Sequence, residues 1–164
     1  MTNILNKAKS IEEYIINFRR DLHGNPELSG QEFKTQKKII KELDKLGIPY
    51  KKAGNTSLIA TLKGSKSGKT IALRADFDAL PVKEETDVEF KSKTIGLILP
   101  KYMGSEDMPY YFQHAKGVYA FIGYRNEEKD AIYFPHHEKF KIDEDYMKYG
   151  TALHVQFALD FLNN

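Results

Sequence analysis

Apolar positions recur at helical spacing twice near the start of the chain. Ile11, Tyr14, Ile15, Phe18 and Leu22 predict a helix over 8–23, with Ser10 as its cap and Glu13 completing a capping box. Asn25-Pro26 stops it. Phe33, Ile39, Ile40, Leu43 and Leu46 predict a second helix over 30–46 with these five buried, closed by Gly47 as C-cap. A short extended segment, Ile48 to Lys51, follows. The pattern then shortens. Ser57–Leu62 and Thr70–Phe77 read as strands, joined by a hairpin-type turn at Gly64-Ser65-Lys66-Ser67-Gly68.

Residues 82–93 are polar and irregular, and Ile95–Leu99 is a brief apolar run ending at Pro100. Ser105–His114 reads as a short helix capped by Ser105, with Glu106 and Asp107 in its first turn. Gly117–Gly123 reads as a strand and 124–140 as a loop. Asp143–Leu162 reads as a long final helix. The order is two helices, two strands, then helix, strand, helix. This is an α/β pattern with few strands, and no repeat or linker divides it.

At 164 residues the chain predicts one domain with a sizeable core, burying roughly 70% of its unfolded surface. Net charge is +2, from 25 basic and 23 acidic residues, so neither a nucleic-acid footprint nor an acidic-partner surface is indicated. With no cysteine, disulfides, thiolate metal sites and thiol nucleophiles are excluded. No apolar run reaches the ~18 residues of a membrane span and no leader pattern opens the chain, so a cytoplasmic protein is expected.

Three segments bear chemistry. In Arg74-Ala75-Asp76-Phe77-Asp78-Ala79-Leu80-Pro81, two carboxylates two residues apart on an extended chain point the same way. They suit a cation or an oriented histidine; the plain alternative is a solvated strand end. Met103-Gly104-Ser105-Glu106-Asp107 is an anion-friendly helix start or simply a cap. Pro135-His136-His137 is a loop that can supply one imidazole ligand, or an exposed polar turn.

Together these segments resemble the M20 family, in its aminoacylase and hippurate-hydrolase-like branch of N-acyl-amino-acid amidohydrolases. The resemblance begins at Arg19-Arg20-Asp21-Leu22-His23 with Pro26-Glu27-Leu28-Ser29 and Glu32-Phe33. It continues through Leu73–Pro81, Met103–Asp107 with Tyr110-Tyr111-Phe112, and Gly117-Val118-Tyr119. It closes at His136-His137, Phe140, Ile142-Asp143-Glu144-Asp145 and Ala158-Leu159-Asp160. The resemblance implies a three-layer α/β/α zinc-aminopeptidase-like catalytic domain, with a lid (dimerisation) domain inserted in its middle. It also implies a pair of divalent metals (Zn, Mn, Ni or Co), a glutamate base, and N-acyl amino acids or peptides as substrates.

The chain departs from that pattern. The family's His-Ala-Cys-Gly-His-Asp segment, its Glu-Glu pair, a later ligand histidine and the lid are all missing. The junction falls near 93–98, through either a natural or an engineered deletion, leaving one truncated catalytic domain over 1–164 with fewer strands. By the resemblance, His136 is the surviving metal ligand, with His137 second; Asp76, Asp78, Glu106 and Asp107 line the site. No catalytic residue is assigned, since the general base is gone. His23, His114 and His154 are expected on helices, in structural or exposed roles. Three outcomes stay open at this point: a family remnant without hydrolysis, a metal site rebuilt from His136, His137, Asp76, Asp78 and a partner chain, or a binding module using the residual pocket. Faces uncovered by the missing part predict a homo-oligomer.

Overall fold

A computed structural model describes residues 2–92 and 107–164. Its elements, in chain order, are α1 (Thr2–Ser10), α2 (Glu12–His23), α3 (Phe33–Lys45), β1 (Tyr50–Ala53), β2 (Ser57–Ala60), α4 (Met108–Phe112), a 3-10 turn (Glu144–Tyr146) and α5 (Met147–Asn163).

The first predicted helix is two helices. Ser10 ends α1 instead of capping α2: its hydroxyl donates back to the Lys7 carbonyl at 2.8 Å. Ile11 forms the break, and the chain turns helical again at Glu12. The second predicted helix is α3. Gly47 follows it with φ at 64°, the left-handed conformation a C-terminal glycine permits without strain. Its expected buried stripe is only half realised. Ile39, Ile40 and Leu43 are partly buried, whereas Phe33 and Leu46 at the two ends are exposed.

The sheet departs most from expectation. β1 and β2 pair antiparallel, with Tyr50 opposite Ala60 and Ala53 opposite Ser57, and they are the only ladder among the described residues. The hairpin therefore turns at Gly54-Asn55-Thr56, where Gly54 has φ of 60°, and not at 64–68. Thr70–Phe77 and Gly117–Gly123 are not strands. Strand-like composition is a preference for a pleated, half-buried surface, and without a neighbouring ladder it does not make a strand. The Ile95–Leu99 run and the Ser105 cap lie outside the described residues.

The loop 124–142 is held by a single bridge, Asn126 to Ala131, and by Asp143. That carboxylate accepts from Asn126 Nδ2 at 2.7 Å and from Lys129 Nζ at 2.6 Å. Burial alone pushes the Asp143 carboxyl up, but these bonds and the Asp145 amide outweigh it and hold it below its usual range. Asp143 caps the 3-10 turn, so α5 begins four residues later than the pattern suggests.

Helices α1, α2 and α5 pack together, and Lys148 on α5 bonds Glu12 on α2 at 2.7 Å. Little apolar surface is enclosed: among the described residues only Ala8 and Ala131 are buried hydrophobics. The chain exposes 13073 Å², where a compact protein of 18.9 kDa exposes about 8,300 Å². The expected core is therefore not assembled, because one two-stranded hairpin offers the helices no sheet to cover.

Candidate functional site

The motif around Asp76 is drawn to the N-terminal helices through its far end. Ala79 N–H donates to the Glu27 carbonyl at 2.8 Å, and Leu28 and Ala79 form a parallel bridge. The Asp-Ala-Leu-Pro segment thus lies beside Pro26-Glu27-Leu28-Ser29.

The two acids in front of that bridge are not poised for a metal. Asp76 accepts from Arg74 Nη2 at 3.0 Å, and Asp107 meets the same nitrogen at 2.6 Å. The cation these acids share is the chain's own guanidinium. Asp78 is exposed. Glu106 lies outside the described residues.

His136 is exposed and sits at φ of 75°, unusual for a residue with a Cβ. His137 stacks on Tyr133 with ring centroids 4.6 Å apart. Its Nδ1 accepts from the Lys139 amide at 3.0 Å, which leaves Nε2 as the nitrogen open to an outside group. Among the described residues, no three His, Asp or Glu side chains converge in a way that could hold a metal ion. A two-metal centre needs several such donors around ions about 3.5–4 Å apart, so the residues present do not fit it.

A second cluster was not singled out from the sequence. Glu84, inside the stretch read as polar and irregular, is nearly buried. It accepts from the Ser92 amide at 2.7 Å and from the Thr86 hydroxyl, and it meets His23 Nε2 at 3.0 Å. Burial pushes its carboxyl up, yet the bonds from Thr86, Ser92 and His23 prevail and keep it below the usual range. Phe90 stands edge-on to His23 and under the Arg20 guanidinium. Arg19 and Arg20 both reach Glu144, at 2.8 and 2.6 Å. His23 is thus structural, as expected. His154 lies on α5 beside the Gly150 carbonyl, whereas His114 falls on the turn after α4 instead of on a helix. No spacing rule marks Glu84 as buried, because two of its three partners are 8 and 61 residues away.

The chain is similar to proteins named carboxypeptidase, deacetylase and amidohydrolase. The chain is 50% identical over 95 residues to thermostable carboxypeptidase 2 of Saccharolobus solfataricus, covering 57% of this chain and 24% of that protein. It is 46% identical over 93 residues to N-acetylcysteine deacetylase of Bacillus subtilis, covering 54% and 24%. Among solved structures it resembles the YxeP protein of Bacillus subtilis, described as a dinuclear metal binding peptidase from the M20 family. There the TM-score is 0.51 and identity 46%, over 54% of this chain and 25% of that one. A putative aminohydrolase from methicillin-resistant Staphylococcus aureus matches with a TM-score of 0.55 and 38% identity, over 58% and 26%. No protein-family profile matches. Over about half of its length the chain is similar to peptidases and amidohydrolases of the M20 family, and it spans about a quarter of the length of the relatives it matches. No helix among the described residues is long and apolar enough to cross a membrane.

Proposed function

We propose that this chain is an amidohydrolase of the N-acyl-amino-acid type by descent that does not hydrolyse amides in its present form. The observation that carries this reading is the Arg74 guanidinium closed on both Asp76 and Asp107. Two acids neutralised by a fixed cation gain little from a divalent ion, which would first have to displace it. The exposed position of His136 supports the same reading. So does the absence from the sequence of the segments that resemblance would assign to the remaining ligands and the general base. The junction near 93–98 and the loss of the lid are part of this proposal.

The test is metal content and turnover of the purified chain after incubation with zinc, manganese, nickel or cobalt. Substoichiometric metal and no release of amino acid from N-acetyl- or N-benzoyl-amino acids is expected. Stoichiometric metal together with turnover would overturn the proposal in favour of a rebuilt centre.

A second reading is a binding role without cleavage. It is favoured by a cleft of about 240 Å³ lined by Glu85, Thr86, Asp87, Asp130, Tyr133, Lys139 and Lys141. Both signs of charge face it, with Lys141 between Asp87 and Asp130 at 3.3 and 3.1 Å. It is smaller than the ~300 Å³ of ordinary ligand pockets, so only a small zwitterionic or acyl-amino-acid ligand suits it. Calorimetric titration with N-acetyl amino acids would register heat if this role is real and none otherwise.

A further inference from the structure

The net charge of +2 hides a segregation. Residues 34–69 carry ten lysines and only two acids, Glu42 and Asp44, for a net of +8, so the rest of the chain carries −6. Folding gathers half of these lysines on one side of α3. At about 100° per residue, Lys34, Lys37, Lys38, Lys41 and Lys45 fall within roughly 100° of arc, along about 16 Å of helix. The partly buried Ile39, Ile40 and Leu43 take the opposite side. Lys34, Lys37, Lys41 and Lys45 are exposed.

A solvated helix face ordinarily mixes signs, so that each lysine has an acid one turn away. Here Lys34, Lys37, Lys41 and Lys45 follow one another at three- and four-residue spacing, and like charges so placed repel. Asp21 holds Lys38, and Glu42 holds Lys45 while also accepting from Tyr14. Among the described residues, Lys34, Lys37 and Lys41 form no ion pair. An anionic surface laid along the stripe relieves this repulsion, and a neutral one does not.

We propose that α3 docks the chain on an anionic lipid surface, with these lysines against the headgroups. Two features favour lipid over nucleic acid. All ten basic residues of 34–69 are lysines, whereas planar recognition of phosphates and bases relies on the arginine fork. Exposed apolar side chains also accompany the lysines. Phe33, one turn before Lys37, is 51% exposed, and Ile59, 60% exposed, stands opposite Lys51 on the hairpin that adjoins α3. Apolar side chains of this kind enter the headgroup layer while ammonium groups meet the lipid phosphates. The contact is peripheral, since no helix among the described residues is long and apolar enough to cross.

Co-sedimentation with vesicles of phosphatidylserine and phosphatidylcholine in equal parts, beside vesicles of phosphatidylcholine alone, reads the binding. At about 0.1 M salt the chain should sediment with the first and not the second, and about 1 M sodium chloride should release it. Each lysine at such a surface contributes about fivefold in affinity, so Lys34→Gln/Lys37→Gln/Lys41→Gln should weaken binding about a hundredfold. Glutamine is as good a helix former as lysine, so α3 should persist in the variant. Lys7→Gln/Lys83→Gln/Lys116→Gln removes the same charge at exposed positions off the stripe and should bind close to the wild type. If the stripe variant loses its helical circular dichroism, Lys37→Glu replaces it, a single exposed change of two charges with an expected loss of about twentyfold. No binding to either vesicle, equal binding to both, or equal weakening by the two triple variants would overturn the proposal. So would tighter binding of a DNA duplex at the same phosphate concentration, which would make the stripe a nucleic-acid face.

Discussion

Glu144 and Asp76 both bind guanidinium groups, but only one of them is sheltered. Glu144 is 13% exposed and holds Arg19 and Arg20 from a helix 125 residues away. Asp76 is 68% exposed and holds Arg74, two residues away. The first pairing joins distant parts of the chain and shelters Glu144 and Arg19, while Arg20 stays 43% exposed. The second is local and screened. Both occur in segments that resemble the M20 family, so resemblance alone does not tell a framework contact from a vestigial site. Burial and the distance along the chain do.

Breaking the sheltered pairing should have the largest effect. Glu144→Ala strands the sheltered Arg19, whose guanidinium burial already disfavours as a cation, and releases the more exposed Arg20 to water. Removing one partner of a nearly buried pair costs about 3 kcal/mol. Urea denaturation should show a midpoint shift of that size with the slope unchanged. An unaltered midpoint would place Glu144 with the surface pairs.

The Glu84 cluster comes next. Glu84→Gln keeps the shape but weakens the acceptor for Ser92 and Thr86 and the contact with His23, at about 1.5 kcal/mol. It also has a pH signature. The folded carboxyl titrates below its unfolded value near 4.3, so its contribution is complete above that pH. It fades as pH falls through the folded value. The wild type should therefore lose more stability than Glu84→Gln on acidification below about pH 4.3. Parallel acid curves for the two proteins would remove Glu84 from the account.

The same contrast explains what the sequence made legible. Helix α3 could be read because its stripe and Gly47 are local signals. The Arg19-Arg20 and Glu144 motifs could be quoted, but not their meeting, since nothing local relates positions 125 residues apart. Strand-like 70–77 and 117–123 misled because a ladder is a property of two segments and local composition reports on one. The real hairpin carried a legible sign, Gly54-Asn55 between short strands, which the longer glycine-serine tract at 64–68 outweighed. At the site, the Asp76 and His136 motifs were recognisable, whereas the capture of Asp76 and Asp107 by Arg74 was not, because Asp107 stands 33 residues (107 − 74) along the chain from Arg74.

The smallest effect should come from the motif that looks most like chemistry. Asp76→Asn removes one exposed carboxylate from a guanidinium that keeps Asp107. An exposed pair of this kind contributes roughly 0.5 kcal/mol or less, and salt weakens it further. The variant's urea midpoint should lie close to the wild type's, and the remaining difference should shrink in 1 M sodium chloride. The companion change Arg74→Gln is the more telling one. It frees both acids without adding a ligand, so any metal affinity they possess should surface as zinc-dependent thermal stabilisation. If Arg74→Gln gains such stabilisation and the wild type has none, the guanidinium is the cation that stands in for the metal. If neither gains it, Asp76 and Asp107 are solvated acids at the edge of a framework held together elsewhere by Glu84 and Glu144.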